Sequence, residues 1–261
     1  MKKIIANTFL GKKFFQGFFD FFLSVSLKGK NIGTGGDITA SGERNALIES
    51  KKMFGDGKNL VFFDGGANVG DFTSLVLEVF DGASKIFCFE PLKKNIQALR
   101  ERFGQNPNVV IEEFALDKSS GKSLIHFSDK NTKLASLYDR KIDFAGKAND
   151  RVEEIKTVSL TDFCSQQDIQ RIDYLKLDTE GSELDVLAGA RELVADKKIT
   201  IIQFEFGGAN IDSRTYFKDF WYLLSPNYHM YRILKDGLQP IEKYEERLEI
   251  FLTTNYLAVK K

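Results

Sequence analysis

The chain has 261 residues, enough for one α/β sheet with a short extension and too few for two independent enzymes. Its 37 basic and 37 acidic side chains balance, so the basic excess typical of nucleic-acid binding is missing, and we expect no nucleic-acid partner. Two cysteines without metal-ligand spacing and only two histidines argue against a zinc site or a Ser-His-Asp triad.

The first 40 residues differ in composition from the remainder of the chain. A phenylalanine-rich cluster at 14–23 predicts a helix that is shorter than the roughly 20 apolar residues needed to cross a bilayer. Residues 1–27 could form a peripheral membrane contact, but packing on the domain or a homodimer contact is favoured. A glycine-rich loop follows at 28–42. We therefore assign residues 1–40 to an N-terminal helix and loop, and, with no cleavable leader recognised, expect a cytoplasmic protein.

Residues 41–261 form the expected main domain, in which segments typical of helices and strands alternate. Strands are predicted at 60–63, 85–89, 108–114, 172–177, 199–206, 230–234 and 249–258, and helices at 43–54, 72–80, 92–103, 182–193 and 215–224. This order predicts a mostly parallel α/β sheet with an antiparallel strand pair at its C-terminal edge. The polar segment 129–149, between strand-like pieces at 123–127 and 152–158, is predicted to cover the acceptor site.

The loop after the first predicted strand has the sequence DGGANVG at 64–70. A dinucleotide fingerprint would require glycine at position 67, which is Ala67, and residues 61–72 include two aspartates but no lysine or arginine. Such an acidic loop suits S-adenosylmethionine, which carries a sulfonium and an ammonium group and no phosphate. We expect Asp64 to face the ammonium group, partly through water. The other cofactor-binding candidates here are Gly65, Gly66, Ala67, Asn68 and Gly70.

Two further strand ends complete the predicted donor site. Glu90 ends the second predicted strand, where an acidic side chain commonly accepts hydrogen bonds from both ribose hydroxyls, and Pro91 follows it. Ala115 and Leu116, after the third strand, are expected beside the adenine. Glu90 alone does not separate a methyltransferase from a dehydrogenase, so the choice between them depends on the loop at 64–70.

Carboxylates cluster after the fourth and fifth predicted strands. Asp178 and Glu180 would lie together if the extended backbone continues through Thr179, and Glu205 comes to the same edge. One of them, in the order given, could accept the proton of a hydroxyl acceptor. The three could instead hold Mg or Mn. The proton-accepting role is favoured over the divalent metal, and no metal ligand is assigned.

The loop at 64–70, the FEP sequence at 89–91, the ALD sequence at 115–117 and the KLDTEGSE run at 176–183 resemble the FkbM family of methyltransferases. The resemblance spans roughly residues 40–258. It implies a Rossmann-like class I methyltransferase fold with seven strands, and S-adenosylmethionine-dependent O-methylation of a hydroxyl on a small-molecule, sugar, glycan or secondary-metabolite acceptor. The alternatives are an NAD-linked oxidoreductase and a non-catalytic nucleotide-binding module on the same sheet.

Overall fold

The computed structural model describes residues 9–55, 57, 59–80, 84–140 and 150–261. The strands of this part of the chain are β1 Leu60–Gly65, β2 Ser84–Phe89, β3 Val109–Glu112, β4 Ala115–Leu116, β5 Gly121–Ser128, β6 Asn131–Ser136, β7 Arg151–Val158, β8 Ile172–Leu177, β9 Ile199–Phe206, β10 Tyr228–Leu234, β11 Gly237–Ile241 and β12 Thr254–Lys260. The helices are α1 Gln16–Gly29, α2 Glu43–Phe54, α3 Asp71–Val79, α4 Lys93–Phe103, α5 Leu160–Gln166, α6 Glu183–Ala188, α7 Arg191–Ala195, α8 Ala209–Asp212 and α9 Phe217–Leu224.

The main sheet has eight strands in the order β11-β10-β12-β9-β8-β1-β2-β3. Strands β3, β2, β1, β8 and β9 pair in parallel, which confirms the α/β class. Two details differ from the prediction. The sheet gains an eighth strand because the chain turns back after β10 to form the edge strand β11. The antiparallel β12 lies inside the sheet, between β9 and β10, rather than at the edge.

Both faces of this sheet are buried. Successive residues of a strand point to opposite faces, so Phe63 joins one hydrophobic cluster with Leu175, whereas Phe62 joins a second cluster with Ile86 and Tyr174. The double burial explains why β1 and β2 are largely apolar runs in the sequence rather than alternating ones, whereas β8 also contains the buried charged residues Asp173 and Lys176. It also leaves the strand ends as the place where polar side chains can meet.

A second sheet, in the order β4-β7-β5-β6, is inserted between β3 and α5. It has a small core of its own, formed by Leu92, Ile125, Phe127 and Ile155. Of the segment predicted to cover the site, residues 131–136 form β6, and residues 141–149 lie outside the described part of the chain. The cover therefore begins as a strand, where a loop was expected.

The helix predicted at 182–193 is interrupted at Gly189, which separates α6 from α7. A Cβ atom at Gly189 would lie 2.5 Å from the carbonyl oxygen of Asp117. The Thr161 hydroxyl donates a hydrogen bond of 2.8 Å to the Gly189 carbonyl. The helix breaks because the chain passes closely under the β4 segment at this point.

The aromatic N-terminal segment forms α1, and none of its residues is buried. Burial of this helix against the domain is therefore not observed among the described residues, and the alternative of a homodimer contact stays a prediction. Among those residues, the structure has no helix that is long and apolar enough to cross a membrane.

Candidate functional site

A cleft opens at the carboxyl ends of β1, β2, β8 and β9, with the second sheet along one side. Its empty space, counted out to the solvent at its mouth, is about 1280 Å³. The part of this space that the centre of a water molecule can reach is about 240 Å³, slightly below the roughly 300 to 1,000 Å³ that is common for small-molecule sites. Residues at the ends of the four strands line its base, namely Gly66, Ala67, Asn68, Glu90, Pro91, Asp178, Glu180 and Glu205. Thr132, Leu134 and Ser136 of β6 cover it.

The glycine loop crosses between the ends of β2 and β8. The backbone N–H groups of Gly66 and Ala67 both donate to the Phe89 carbonyl at 3.1 Å. Gly66 has a φ of +81°, and a Cβ atom there would lie 2.0 Å from the Asp178 carbonyl oxygen. Only glycine allows both this backbone conformation and this approach. The close contact fixes the loop against the residues that carry the acidic cluster.

Two glycines that were expected to approach the donor do not line the cleft. Gly65 lies within β1, where a Cβ atom would be 3.0 Å from the Lys176 carbonyl oxygen. At Gly70, a Cβ atom would be 2.4 Å from the ring of Phe103 in α4. Both glycines are therefore required by backbone packing around the loop.

Asp64 also lies behind the loop rather than on the cleft wall. Its side chain points to the sheet face covered by α3, where Oδ2 accepts a 2.7 Å hydrogen bond from the Thr73 hydroxyl. Asp64 is fully buried, and its Oδ1 has no hydrogen-bond partner among the described residues. Burial raises the pKa of Asp64, and the nearby Lys176 opposes that shift. Asp64 does not line the cleft, so the structure shows no direct contact between this side chain and a ligand there. The expected interaction with the ammonium group through water stays a prediction.

Glu90 lines the cleft at the end of β2 and is almost fully buried. Its Oε1 accepts from the Leu92 N–H at 3.0 Å and from the Asn95 amide at 3.2 Å, and its Oε2 accepts from the Asn68 N–H at 2.9 Å. Burial raises the pKa of Glu90 to about 7, although these three donors oppose the shift. A carboxylate has about four lone-pair sites, so one site on Oε2 remains for a ligand.

The region beside Glu90 is apolar. Ala115 and Leu116 form β4 of the second sheet rather than the end of β3, and both line the cleft. Pro91 and Phe89 line it from the β2 side. A planar aromatic group fits such a surface, next to the one free acceptor of Glu90.

The structure brings Asp178, Glu180 and Glu205 together: one carboxylate oxygen from each lies within 4.8 Å of the others. The extended backbone does not persist as expected, because β8 ends at Leu177 and Glu180 has a φ of +53°. The carboxylates meet through this left-handed turn instead, and Gly181, with a φ of +107°, continues it. The three oxygens are close enough to bind one cation jointly or to share a proton.

Glu183 holds this turn in place. It is almost fully buried, and its Oε1 accepts hydrogen bonds from the Thr179 N–H at 2.8 Å and the Gly181 N–H at 3.1 Å. The Ser182 hydroxyl, just before α6, makes no capping hydrogen bond. Glu183, the final residue of the KLDTEGSE run, therefore stabilises the backbone turn that carries Glu180.

Two buried cations neutralise part of the cluster. Lys176 Nζ lies 3.0 Å from Asp178 Oδ2 and 3.9 Å from Glu43 Oε1. Burial lowers the pKa of Lys176, but the carboxylates around it outweigh that effect and hold it above the usual value. On the other side, Arg140 NH1 pairs with Glu180 Oε2. The two cations come from different parts of the fold: Lys176 belongs to β8 of the main sheet, and Arg140 to the segment after β6.

The cluster nevertheless retains protons near neutral pH. Burial raises the pKa of Glu180 to about 8, even though Arg140 lowers it. For Glu205, burial and the neighbouring carboxylates of Asp178 and Glu180 raise the pKa well above its usual value. Like charges this close cannot all ionise at once. The arrangement can therefore accept or donate a proton at the base of the cleft.

Sequence reasoning assigned no role to several residues that build the site. Lys176 stands inside an apolar strand, and that pattern alone signals a paired buried charge. Glu43 starts α2 and accepts a 2.7 Å hydrogen bond from the Gln203 amide. Arg140 carries no local signal, because its partner Glu180 is 40 residues away. These contacts depend on the tertiary fold.

Residues 64–233 match the family model described as "Methyltransferase FkbM domain". The 2-O-methyltransferase NoeI of Sinorhizobium fredii is 24% identical over 153 residues, covering 55% of this chain and 63% of that protein. The hexuronic acid methyltransferase AglP of Haloferax volcanii is 25% identical over 148 residues, covering 56% of each. The chain thus matches less than two thirds of the length of either relative.

Among solved structures, the methyltransferase FkbM from Methylobacillus flagellatus KT aligns with a TM-score of 0.48 and 17% identity, covering 77% of this chain and 44% of that one. The match to the family model includes the glycine loop, Glu90, β4, the acidic cluster and the turn that Glu183 braces. Because that match covers more than half of the residues, the chain belongs to the FkbM methyltransferase family.

Proposed function

We propose that this protein transfers a methyl group from S-adenosylmethionine to a hydroxyl group of a sugar or glycan acceptor. The observation that carries the proposal is the meeting of three carboxylates at the cleft wall, directly beside the loop that separates them from Glu90. The names of the two relatives, a 2-O-methyltransferase and a hexuronic acid methyltransferase, support a sugar-type acceptor. NAD-linked oxidation is disfavoured because Ala67 stands where a dinucleotide-binding loop has glycine, and because the acidic Asp71 lines the cleft at the start of α3.

The residues of the cleft fit the donor. The free lone pair of Glu90 suits one ribose hydroxyl, and the apolar surface of Leu116 and Pro91 suits an adenine ring. The other end of the cleft is rich in carboxylates, which suits the cationic part of the donor. S-adenosylmethionine supplies the electrophilic methyl group when it is bound. Since β1 lies between β2 and β8 in the sheet, the glycine loop separates the ribose end from the acidic end.

Asp178 is our candidate for the group that accepts the proton of the acceptor hydroxyl. Its side chain is 36% exposed, compared with 14% for Glu180, so it is the more accessible of the two to an acceptor. The salt bridge with Lys176 orients it. The Asp178 carboxylate would accept the proton of the acceptor hydroxyl as that oxygen takes the methyl group, while the bond between the methyl carbon and the donor sulfur breaks and its electron pair stays on the sulfur. Glu180 and Glu205, whose pKa values are raised, hold protons nearby.

A divalent cation is the second candidate role of the same cluster. The grouping of three carboxylate oxygens within 4.8 Å favours it, because Mg and Mn prefer oxygen ligands. Lys176 and Arg140 count against it, since they already neutralise two of the carboxylates. Dialysis against EDTA followed by addition of Mg or Mn separates the two roles. Proton acceptance by Asp178 alone requires turnover to survive the chelator.

The substitution Asp178→Asn tests the proposal. The amide keeps the volume of the side chain but cannot take a proton, so turnover should fall by a factor of about 100 to 10,000. Binding of S-adenosylmethionine, measured by calorimetry on the same preparation, should change little. Asp129→Asn is the matched control, because Asp129 is half-exposed and forms a surface ion pair with Arg151. An Asp178→Asn variant with normal turnover would contradict the mechanism, and joint loss of binding and turnover would assign Asp178 to the donor.

A further inference from the structure

Helix α1 carries an aromatic face that no described residue covers. Phe14 lies just before the helix, and Phe18, Phe21, Phe22 and Val25 follow at spacings of four, three, one and three residues. At about 100° per residue, these five side chains fall on one face roughly 100° wide. They are 89%, 57%, 63%, 52% and 51% exposed, respectively. A face of this kind on a monomer marks a contact surface.

The opposite side of the helix is polar. Gln16, Asp20, Ser24 and Lys28 recur every four residues and form one exposed stripe. The helix is therefore amphipathic, although Leu23, which is 57% exposed, and Leu27 lie on the same side as this polar stripe. Its 14 residues span about 21 Å, which is less than the roughly 30 Å of a hydrocarbon core. Such a helix can lie in the plane of a membrane surface but cannot span it.

The charge of this part of the chain differs sharply from the balanced total. Residues 1–36 contain six lysines and a single acidic residue, Asp20. Among the described residues, Lys12 and Lys13 lie just before α1, and Lys28 and Lys30 lie at its end. The aromatic face is thus flanked by positive charge at both ends. Basic segments of this kind are attracted to anionic lipid headgroups.

The end of α1 is firmly attached next to the cleft. The Asn31 amide donates to the carbonyls of Ser41 at 2.8 Å and Ile233 at 3.1 Å, and Arg232 Nε donates to the Lys30 carbonyl at 2.9 Å. A few residues later, Gly35 and Gly36 line the cleft. The helix is therefore a fixed extension beside the cleft, and its aromatic face is available without unfolding any part of the domain.

We propose that α1 docks this protein on an anionic lipid surface, with the aromatic face inserted at the headgroup boundary and the lysines against the headgroups. A second copy of the chain fits less well, because pairing two such helices in either direction brings lysines against lysines, and Asp20 is the only nearby acid. Anionic lipid instead satisfies the charge and the aromatic face together. The proposal concerns where the enzyme works and is independent of its acceptor.

Vesicle binding by the 261-residue chain tests this inference. We expect the chain to sediment with vesicles of phosphatidylcholine and phosphatidylglycerol, and to remain free of vesicles of phosphatidylcholine alone. Added salt should weaken the binding. Each Lys→Glu substitution at Lys12 or Lys13 should weaken it at least about five-fold, the equivalent of about 1 kcal/mol per charge near the surface. Phe18→Ser with Phe22→Ser should abolish it.

Tyr222→Ser is the matched control, because Tyr222 is an aromatic residue of α9 with 63% exposure, away from the N-terminal segment. It should bind vesicles as the wild type does. Calorimetry with S-adenosylmethionine on every variant reports whether the domain is intact. A failure of the methyltransferase proposal can therefore be distinguished from a failure of the lipid-docking proposal. Equal binding to both vesicle types, or no loss in the Phe18/Phe22 variant, would overturn the inference. A concentration-dependent dimer that the same variant abolishes, without vesicle binding, would assign the face to a second copy.

Discussion

Glu90→Gln changes a cleft carboxylate that already accepts three hydrogen bonds from within the protein, out of about four that a carboxylate can accept. Three donors already point at it, from Leu92, Asn95 and Asn68. An amide replaces one of the two acceptor oxygens by an NH2 group, which then faces at least one of these donors. The variant should therefore lose the acceptor for the ribose and disturb the backbone of the glycine loop at Asn68.

The size of the effect follows from this geometry. One free lone pair on Oε2 allows one charge-assisted hydrogen bond to the ribose, rather than the two that the sequence suggested. Such a bond contributes about 1.5 to 3 kcal/mol, or about 10- to 150-fold in affinity. Because burial raises the pKa of Glu90 to about 7, lowering the pH protonates the acceptor. Below that pKa, wild-type affinity for the donor should fall by up to about ten-fold per pH unit.

The raised pKa of Glu90 also makes the stability of the fold depend on pH. Stability should fall as the pH rises, whereas donor affinity should increase. A carboxyl group with a raised pKa stabilises the fold while it is protonated, and this contribution is lost as the pH rises from about 4.5 to about 7. The free energy of unfolding of the wild type, relative to Glu90→Gln, should decline over that interval by at most about 3 kcal/mol. Denaturant unfolding of both proteins at matched pH values measures this difference.

Calorimetric titration with S-adenosylhomocysteine between about pH 6 and about pH 8 is the binding assay, because this range brackets the shifted pKa. Glu112→Gln is the matched control: Glu112 ends the adjacent β3 and is not among the residues that line the cleft. The variant should bind weakly with little pH dependence, while the control follows the wild type. Equal affinity of Glu90→Gln and wild type, or the same pH slope in both, would refute the assignment of Glu90 to the donor.

Two further substitutions probe the loop and the cluster. Gly66→Ala places a Cβ atom 2.0 Å from the Asp178 carbonyl oxygen at a φ of +81°, so donor binding should be lost and the melting temperature lowered. Gly121→Ala, at a site with open space, is the control and should change neither property. A Gly66→Ala variant with normal binding and stability would contradict the proposed packing of the loop. Arg140→Met removes the ion-pair partner of the buried Glu180 carboxyl, which should lower the free energy of unfolding most at high pH, where Glu180 must ionise without a partner. The pKa of Glu180, already about 8, should rise further. Because Asp178 is the proposed proton acceptor, the pH-rate profile of methyl transfer should change little, and a shift of that profile to higher pH would assign proton transfer to Glu180.

The local sequence was sufficient to predict the main framework. The bounds of α2, β8 and β9 agree with those predicted, because each is a run of one periodicity bounded by glycine or by charged residues. The continuous apolar strands indicated a sheet buried on both faces, and polar residues directly after them indicated a site at one edge. The strand order brings Asp178 and Glu205 to that edge, and the left-handed turn at Glu180 completes the cluster.

Contacts between distant segments could not be predicted in this way. The sequence placed Asp64 at the donor because it begins the loop, but the alternation of β1 turns its side chain toward Thr73. Arg140 reaches Glu180 only because the second sheet folds over the cleft. Residues 1–40 showed an aromatic helix, yet only the structure shows that its aromatic face remains exposed. Local periodicity determines the elements, whereas the direction of each buried charge depends on partners far away in the chain, which only the tertiary structure brings into contact.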